Sequence, residues 1–235
     1  MKRRLHSLIA TTALLLTVCP TQGSTIFWGS LFNDVLVDSA GNALDASYSF
    51  ELGTFVPGFT PTSENLPDWG ANWKTFDAVQ DGAGWSPGDQ FVEGTVNHTL
   101  TGGSDSGAAV PTDTFAQGSQ AYLWVYNSKD YATTSEWALL YDDAGATAVN
   151  IYGDWLFPDP ALEFDSFDWQ FRDLDVAIFG GVNGAQGAGA YSAEPVPAGP
   201  EGYYVQTHTV PEPGSALLVL VAGMLGLNLG HRRRR

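Results

Sequence analysis

The sequence predicts a mainly β protein, an antiparallel β-sandwich or jelly roll with one short helix, an N-terminal signal peptide and a C-terminal transmembrane helix. Short apolar or β-branched segments recur along the chain with Gly, Pro, Asn and Asp turns between them. Helical segments do not alternate with them, as they would in a parallel α/β protein. Eight Trp, nine Tyr and 13 Phe among 235 residues supply enough apolar area for one domain of ordinary size.

Nine segments have patterns typical of strands. In segment 47–52, Tyr48, Phe50 and Leu52 share one face and polar residues share the other, which predicts a strand with one buried face. The continuous apolar run in 120–126 predicts instead a strand buried on both faces. The other predicted strands are 25–28, 35–37, 91–100, 136–141, 148–152, 171–179 and 203–210.

One segment has helical spacing. Trp69, Trp73, Phe76 and Val79 lie four, three and three residues apart, and Asp68 can cap the start. We expect a short helix here whose aromatic face belongs to the core.

The first 23 residues have the features of a secretory signal peptide. A basic cluster at 2–4 precedes an apolar run at 8–18 that is too short to span a bilayer. Small residues at 21 and 23 predict cleavage between Gly23 and Ser24. The alternatives for this segment are a buried N-terminal helix and a lipoprotein signal acylated at Cys19. Cys19 is the only cysteine, so no intrachain disulfide can form.

The last 26 residues, 210–235, have three consecutive parts. An uncharged apolar stretch at 214–230 has the length of a short transmembrane helix. The basic tail at 231–235 predicts that this end stays in the cytoplasm and the acidic region stays outside. Ahead of the helix lies the motif Val210, Pro211, Glu212 and Pro213, and the membrane-stop residues behind it are Arg232, Arg233, Arg234 and Arg235.

This order of motif, apolar helix and arginine tail resembles the PEP-CTERM sorting signal of exosortase substrates, a segment also called the ice-binding protein C-terminal domain. The resemblance covers about 26 of the 235 residues. It implies a didermic bacterium, similar to the Verrucomicrobia, in which the precursor is anchored in the inner membrane. The partner would be an exosortase acting near the motif, and the destination would be the cell surface or an exopolysaccharide-rich extracellular matrix.

The predicted ectodomain, 24–209, is strongly acidic. From Ser24 to Pro213 the chain carries three basic residues and all 26 acidic ones, a formal charge of −23. Such a surface repels phosphate backbones, so nucleic-acid binding is excluded and cationic partners are favoured. Within this region, the Gly- and Pro-rich stretch 180–200 predicts a flexible loop.

No catalytic constellation stands out in the ectodomain. Its two histidines, His98 and His208, have no Gly-x-Ser-x-Gly element nearby and form no His-x-x-x-His pair, so neither a serine-hydrolase site nor a zinc site is indicated. The 26 acidic residues leave a glycosidase pair open without nominating one. We therefore expect a protein that is not an enzyme, with an extracellular glycan hydrolase as an alternative, and no cofactor.

Calcium is the one metal that the acidic residues make possible. Asp165, Asp168, Asp173 and Asp175 cluster in the sequence, and calcium takes six to eight oxygen ligands. Their spacing does not fit the Asp-x-Asp-x-Asp-Gly loop, so a solvated acidic surface is the competing interpretation.

Exposed aromatic residues would suit polysaccharide binding. Trp85, in the glycine-rich loop 82–88, is the best candidate among the eight tryptophans for stacking on a sugar ring. The sequence thus predicts an exported surface or matrix protein with a structural or adhesive ectodomain, and a polysaccharide-binding module is the alternative.

Overall fold

A computed structural model describes residues 23–131, 135–143, 155–162, 165–194 and 203–211. Residues 1–22 of the predicted signal peptide, the predicted strand 148–152, the apolar stretch 214–230 and the arginine tail lie outside these residues. Within the described ranges, no helix is long and apolar enough to cross a membrane.

The described part of the chain is mainly β, as the sequence predicts. It contains one single-turn α-helix, α1 (Trp69–Asn72), and two 3-10 turns, Leu66–Asp68 and Phe171–Asp173. The strands are β1 Ser24–Gly29, β2 Val35–Val37, β3 Ser49–Phe55, β4 Trp73–Asp81, β5 Gly84–Ser86, β6 Phe91–His98, β7 Tyr122–Tyr126, β8 Glu136–Tyr141, β9 Ser166–Gln170, β10 Val176–Phe179, β11 Gly181–Val182, β12 Ala185–Gln186, β13 Tyr204–Gln206 and β14 His208–Thr209.

The strands form two mixed sheets. The larger runs β10-β8-β7-β3-β4-β5-β6-β1-β9, with β14 also paired to β8, and the smaller runs β12-β11-β13-β2. Most pairs are antiparallel, but β1–β9, β4–β5 and β13–β2 are parallel. The expectation of purely antiparallel sheets is therefore wrong at these three pairs.

The large sheet curls so that its two halves share one core. Inward-facing residues from β3, β7 and β8 join those from β1, β6 and β9 in a single buried cluster. Its members include Ile26, Trp28, Phe50, Leu52, Val92, Val96, Leu123, Val125, Leu140, Phe167 and Trp169.

A second, smaller core lies on the opposite face of β3, β7 and β8. Trp124 and Trp137 project there from the sheet, and Trp69 of α1 packs against them with ring centroids 6.0 and 5.7 Å away. Strand β7 is therefore buried on both faces, as its apolar run predicts. For β3 the expectation of one buried face is wrong, because this second core also covers the face that carries Glu51.

The helix predicted from the spacing of aromatic residues is wrong beyond its first turn. α1 ends at Asn72, and from Trp73 onward the chain pairs with β3 over seven residue pairs. The residues of the predicted helical face divide between the two cores. Trp69 packs in the smaller core, whereas Phe76 and Val79 pack in the larger one. Pairing with β3 thus overrides a helical spacing of apolar residues that spans only three turns.

The stretch predicted as a flexible loop contains paired strands in its described part, 180–194. β11 and β12 form a two-residue ladder, and Val182 is fully buried. Gly187 packs so closely that a Cβ would lie 2.6 Å from the Ala177 carbonyl oxygen. The loop assignment is therefore wrong for residues 181–186.

Replacing Gly94 with alanine should destabilise the fold, because the register of β1 and β6 sets Trp28 opposite Gly94. A Cβ at position 94 would lie 2.1 Å from Trp28 Nε1. We expect Gly94→Ala to lower the free energy of unfolding by about 1–3 kcal/mol in urea denaturation. Gly107→Ala is the control, because that position has open space around it. Equal midpoints for the two variants would contradict the register.

The two ectodomain histidines should make the protein less stable in mild acid. His98 and His208 are fully buried, and burial lowers the pKa of each below the ordinary histidine value of about 6.5. Near pH 6.5 the unfolded chain therefore takes up protons that the folded chain does not, so the free energy of unfolding falls as the pH drops through that value.

The measurement is a pair of titrations. Urea midpoints should decrease from pH 7.5 to 5.5, and NMR should show both imidazoles titrating below pH 6.5. An imidazole that titrates at or above 6.5 in the folded protein would show that its burial does not control its protonation.

Candidate ligand-binding groove

The structure does not expose Trp85. Its side chain is only 2% exposed, lies 5.0 Å from the ring of Phe50, and donates from Nε1 to the Asp45 carbonyl oxygen at 3.1 Å. Strand β5 lies between β4 and β6 in the large sheet, which turns this side chain into the core. None of the eight tryptophans is an exposed residue. The prediction that Trp85 stacks on sugars is wrong.

Two of the three exposed aromatic residues in the described ranges are phenylalanines that lie together; the third, Tyr191, does not line the same surface. Phe27 is 45% and Phe32 is 72% exposed, and Leu31 lies beside them. The ring of Phe32 stacks on that of Phe91, with centroids 4.4 Å apart and an interplanar angle of 6°. These side chains border one groove of about 290 Å³ on the outer face of the sheet. We call it the phenylalanine groove.

A glycine creates the groove. β1 lies between β9 and β6, and Gly29 is paired with Gln170 on one side and Glu93 on the other. Its φ of +152° suits glycine, and a Cβ there would lie 2.0 Å from the Val92 carbonyl oxygen. No side chain can therefore fill the space between Gln170 and Glu93. The groove is lined by Phe27, Trp28, Gly29, Ser30, Leu31, Phe32, Phe91, Val92, Glu93, Gly94 and Gln170.

The floor of the groove is fixed from below. The indole of Trp28 lies against Gly94 and donates from Nε1 to Asp77 Oδ2 at 2.8 Å. Ser106 Oγ donates to the other oxygen of Asp77 at 2.7 Å. Burial raises the pKa of Asp77, while these two donors favour its charged form. The hydrogen bonds hold the indole in one orientation beneath the groove.

The turn that carries Leu31 and Phe32 is held at both ends. Ser30 bonds to Val92 twice: its N–H donates to the Val92 carbonyl oxygen at 2.9 Å, and its Oγ accepts from the Val92 N–H at 2.8 Å. Asp34 Oδ2 accepts from the Leu31 N–H at 2.8 Å. Phe32 is therefore presented on a fixed backbone, which reduces the entropy lost when a ligand binds.

The rim of the groove is acidic. Glu93 lines the groove, and Asp168 lies beside it, paired directly to Phe27 across the parallel strands. Both carboxylates are exposed on the same outer face as Phe27. Asp168 Oδ1 accepts a hydrogen bond from Gln170 Nε2. Neither carboxylate has an ion-pair partner among the described residues.

The three cations of the ectodomain are engaged elsewhere. Lys129 Nζ lies 2.6 Å from Glu51, and Lys74 Nζ donates to a backbone carbonyl at 3.1 Å. Arg172 Nε lies 3.7 Å from Asp173. None of the three lines the groove, so its field is negative.

The four aspartates proposed as a calcium site have separate roles. Asp173 accepts from the Gln170 N–H at 3.1 Å, and Asp175 accepts from the Asp143 N–H at 2.8 Å. Asp168 lies at the groove rim, and the backbone carbonyl of Asp165 accepts from Thr25. In the described ranges, no group of three or more His, Cys, Asp or Glu is placed to hold a metal ion. The structure does not bring these carboxylates together.

The predicted processing residues lie at the two ends of the described domain. β1 begins at Ser24, whose Oγ donates to the Leu162 carbonyl oxygen at 3.0 Å, and Gly23 lies against the backbone of His98. Val210 is buried in the smaller core, with its N–H donating to Ser135, and Pro211 is exposed. Outside the described residues lie Glu212, Pro213 and the four arginines.

A second polar centre was missed by the sequence analysis. Glu51 is only 7% exposed, and its Oε2 accepts from Lys129 Nζ at 2.6 Å, Trp73 Nε1 at 2.7 Å and Thr75 Oγ1 at 2.8 Å. Its Oε1 accepts from the Tyr126 hydroxyl at 2.5 Å. Burial and the Glu51 charge raise the pKa of Tyr126, which keeps it a donor. With four donors on one carboxylate, we interpret this centre as structural.

Removing the Glu51 carboxylate should cost more stability than removing its cation. Glu51→Ala leaves Lys129 and the partly buried indole N–H of Trp73 without their acceptor, a loss of about 3–5 kcal/mol. Lys129→Met should cost less, because Glu51 keeps three donors and Lys129 is partly exposed. Lys74→Met is the control. Denaturation midpoints test this order, and a Glu51→Ala midpoint equal to that of Lys74→Met would contradict it.

Compared with known proteins, the chain matches no family model, no curated protein and no solved structure.

Proposed function

We propose that this chain is an exported bacterial surface or extracellular-matrix protein whose domain binds polysaccharide through the phenylalanine groove. The observation that carries the proposal is the set of exposed phenylalanine rings beside exposed carboxylates on one sheet face. Catalysis plays no part in the proposal.

The chemistry of the groove suits a sugar ring. A pyranose has an apolar C–H face, which stacks on aromatic rings, and a rim of hydroxyl groups that need acceptors. Phe32 and Phe27 supply the apolar surface. The exposed carboxylates of Glu93, which lines the groove, and of Asp168, which is paired to Phe27 beside it, supply acceptors at the edge. A few polar groups around an apolar surface are the usual composition of a small-molecule site.

The two ends of the chain support export. The first strand begins at Ser24, the residue that signal-peptide cleavage would leave at the N-terminus. At the other end, Val210 is the last buried residue in the described ranges and Pro211 is exposed, so the motif that resembles a PEP-CTERM signal starts at the edge of the described domain. The precursor would be anchored in the inner membrane, processed by an exosortase, and passed to the surface or the matrix of a didermic bacterium.

Truncating the exposed rings should weaken polysaccharide binding without harming the fold. We expect Phe32→Ala or Phe27→Ala to weaken binding about tenfold or more, because each removes stacking surface that is already solvent-exposed in the free protein. Val110→Ala, an exposed apolar residue away from the groove, is the matched control. Affinity electrophoresis against a panel of soluble polysaccharides measures the effect. Binding that both phenylalanine variants retain would contradict the proposal.

Sorting should depend on two separable parts of the C-terminus. In the native host, changing Pro211, Glu212 and Pro213 to alanine should leave the precursor inserted but uncleaved, because the apolar stretch is unchanged. Changing the four arginines to serine should release the full-length chain. Each arginine resists crossing the bilayer by roughly 2.5–3.5 kcal/mol.

Cell fractionation with antibodies to the domain and to a C-terminal tag distinguishes these results. An alanine variant that still reaches the surface without its C-terminal tag would show that the motif does not direct sorting.

A further inference from the structure

We infer that the phenylalanine groove selects polysaccharides that carry free amino groups; this inference rests on the proposed function and specifies its ligand. The ligand would be a glucosamine-like polymer, positively charged when its amines are protonated.

The outer face of the sheet around the groove carries exposed carboxylates. Glu93 lines the groove, and Asp168 lies beside it as the strand partner of Phe27. Both are exposed, and neither has an ion-pair partner among the described residues. Farther along the same face, Asn97 holds Asp105 through two hydrogen bonds of 2.8 and 2.7 Å. An ammonium group bound over this face would meet carboxylates that need no rearrangement to receive it.

The aromatic rings favour the same ligand. Phe32 is 72% exposed, and because one face stacks on Phe91, its other face is open to solvent. The face of an aromatic ring attracts a cation through its quadrupole. A sugar that stacks on Phe32 or Phe27 with an amine on its ring would gain from stacking, from cation–π attraction and from the acidic rim together.

The same features oppose anionic polysaccharides. The region from Ser24 to Pro213 has a formal charge of −23. Its three cations bond to other groups and do not line the groove. A uronic-acid polymer would meet repulsion with no compensating cation, and a neutral polymer would gain only stacking and hydrogen bonds.

A lysine-rich peptide is the competing cationic occupant. Its amines would meet the same carboxylates, but each lysine side chain loses up to about 2 kcal/mol of rotamer entropy when ordered. A pyranose ring is already rigid and offers a flat apolar face as well as the amine. The stacked phenylalanines therefore favour the sugar.

The test is a binding series on the full-length chain purified in detergent, by isothermal titration calorimetry at a mildly acidic pH where the amines are charged. The probes are a glucosamine hexamer, its N-acetylated counterpart, a uronic-acid hexamer and hexalysine. We expect the glucosamine hexamer to bind roughly five- to tenfold more tightly than the N-acetylated one, and this preference to shrink as salt is added. The uronic-acid hexamer should not bind.

Two variants with the same charge change test whether the amine is recognised at the groove. Glu93→Gln should reduce the preference for the amine, whereas Glu64→Gln, in an exposed loop away from the groove, should not. If the N-acetylated hexamer binds equally and Phe32→Ala weakens it, the inference is wrong and the proposed function stands. If none of the three sugar hexamers binds, both the inference and the proposed function are wrong. Tighter binding of hexalysine than of the glucosamine hexamer also overturns the inference.

Discussion

The contact between Trp28 and Gly94 determines the arrangement of the outer face. The indole lies where any side chain at position 94 would clash, and its N–H is held by Asp77 on a third strand. This contact fixes the register of β1 against β6. Because side chains alternate along a strand, a slip of one residue would exchange Trp28 with Phe27 and bury the exposed ring. The groove therefore depends on Trp28, the largest residue of β1, packing against Gly94.

An acidic chain with few cations has to satisfy its buried carboxylates by other means. Asp77 is held by an indole and a serine hydroxyl, and Glu51 by an indole, two hydroxyls and one lysine. Glu136 repeats the pattern, with hydroxyl donors from Ser39, Tyr48 and Thr207. Neutral donors satisfy a carboxylate without adding a second buried charge, which limits the desolvation cost. None of the three cations lines the groove, so its electrostatic field stays negative.

The sequence was sufficient for the class of fold and for most strands, because alternation and apolar runs report burial directly. It was insufficient where long-range pairing decides the outcome. The spacing of Trp69, Trp73 and Phe76 fits a helix, yet pairing with β3 makes most of that segment a strand. Trp85 sits among glycines, yet β5 turns it inward. The groove depends on Gly29 pairing with β6 and β9 at once, and on Phe32 stacking on Phe91, 59 residues away in the sequence. No local sequence pattern contains either feature.

The most direct test of the central claim is an NMR titration of the isotope-labelled protein with the polysaccharide that binds it. Binding in the phenylalanine groove should give amide shift changes concentrated at 29–32 and 91–94, with changes in the ring signals of Phe27 and Phe32. The signals of the second core around Trp124 should stay unchanged. Shift changes centred on that core, or spread evenly over the sheet, would contradict the assignment of binding to the phenylalanine groove.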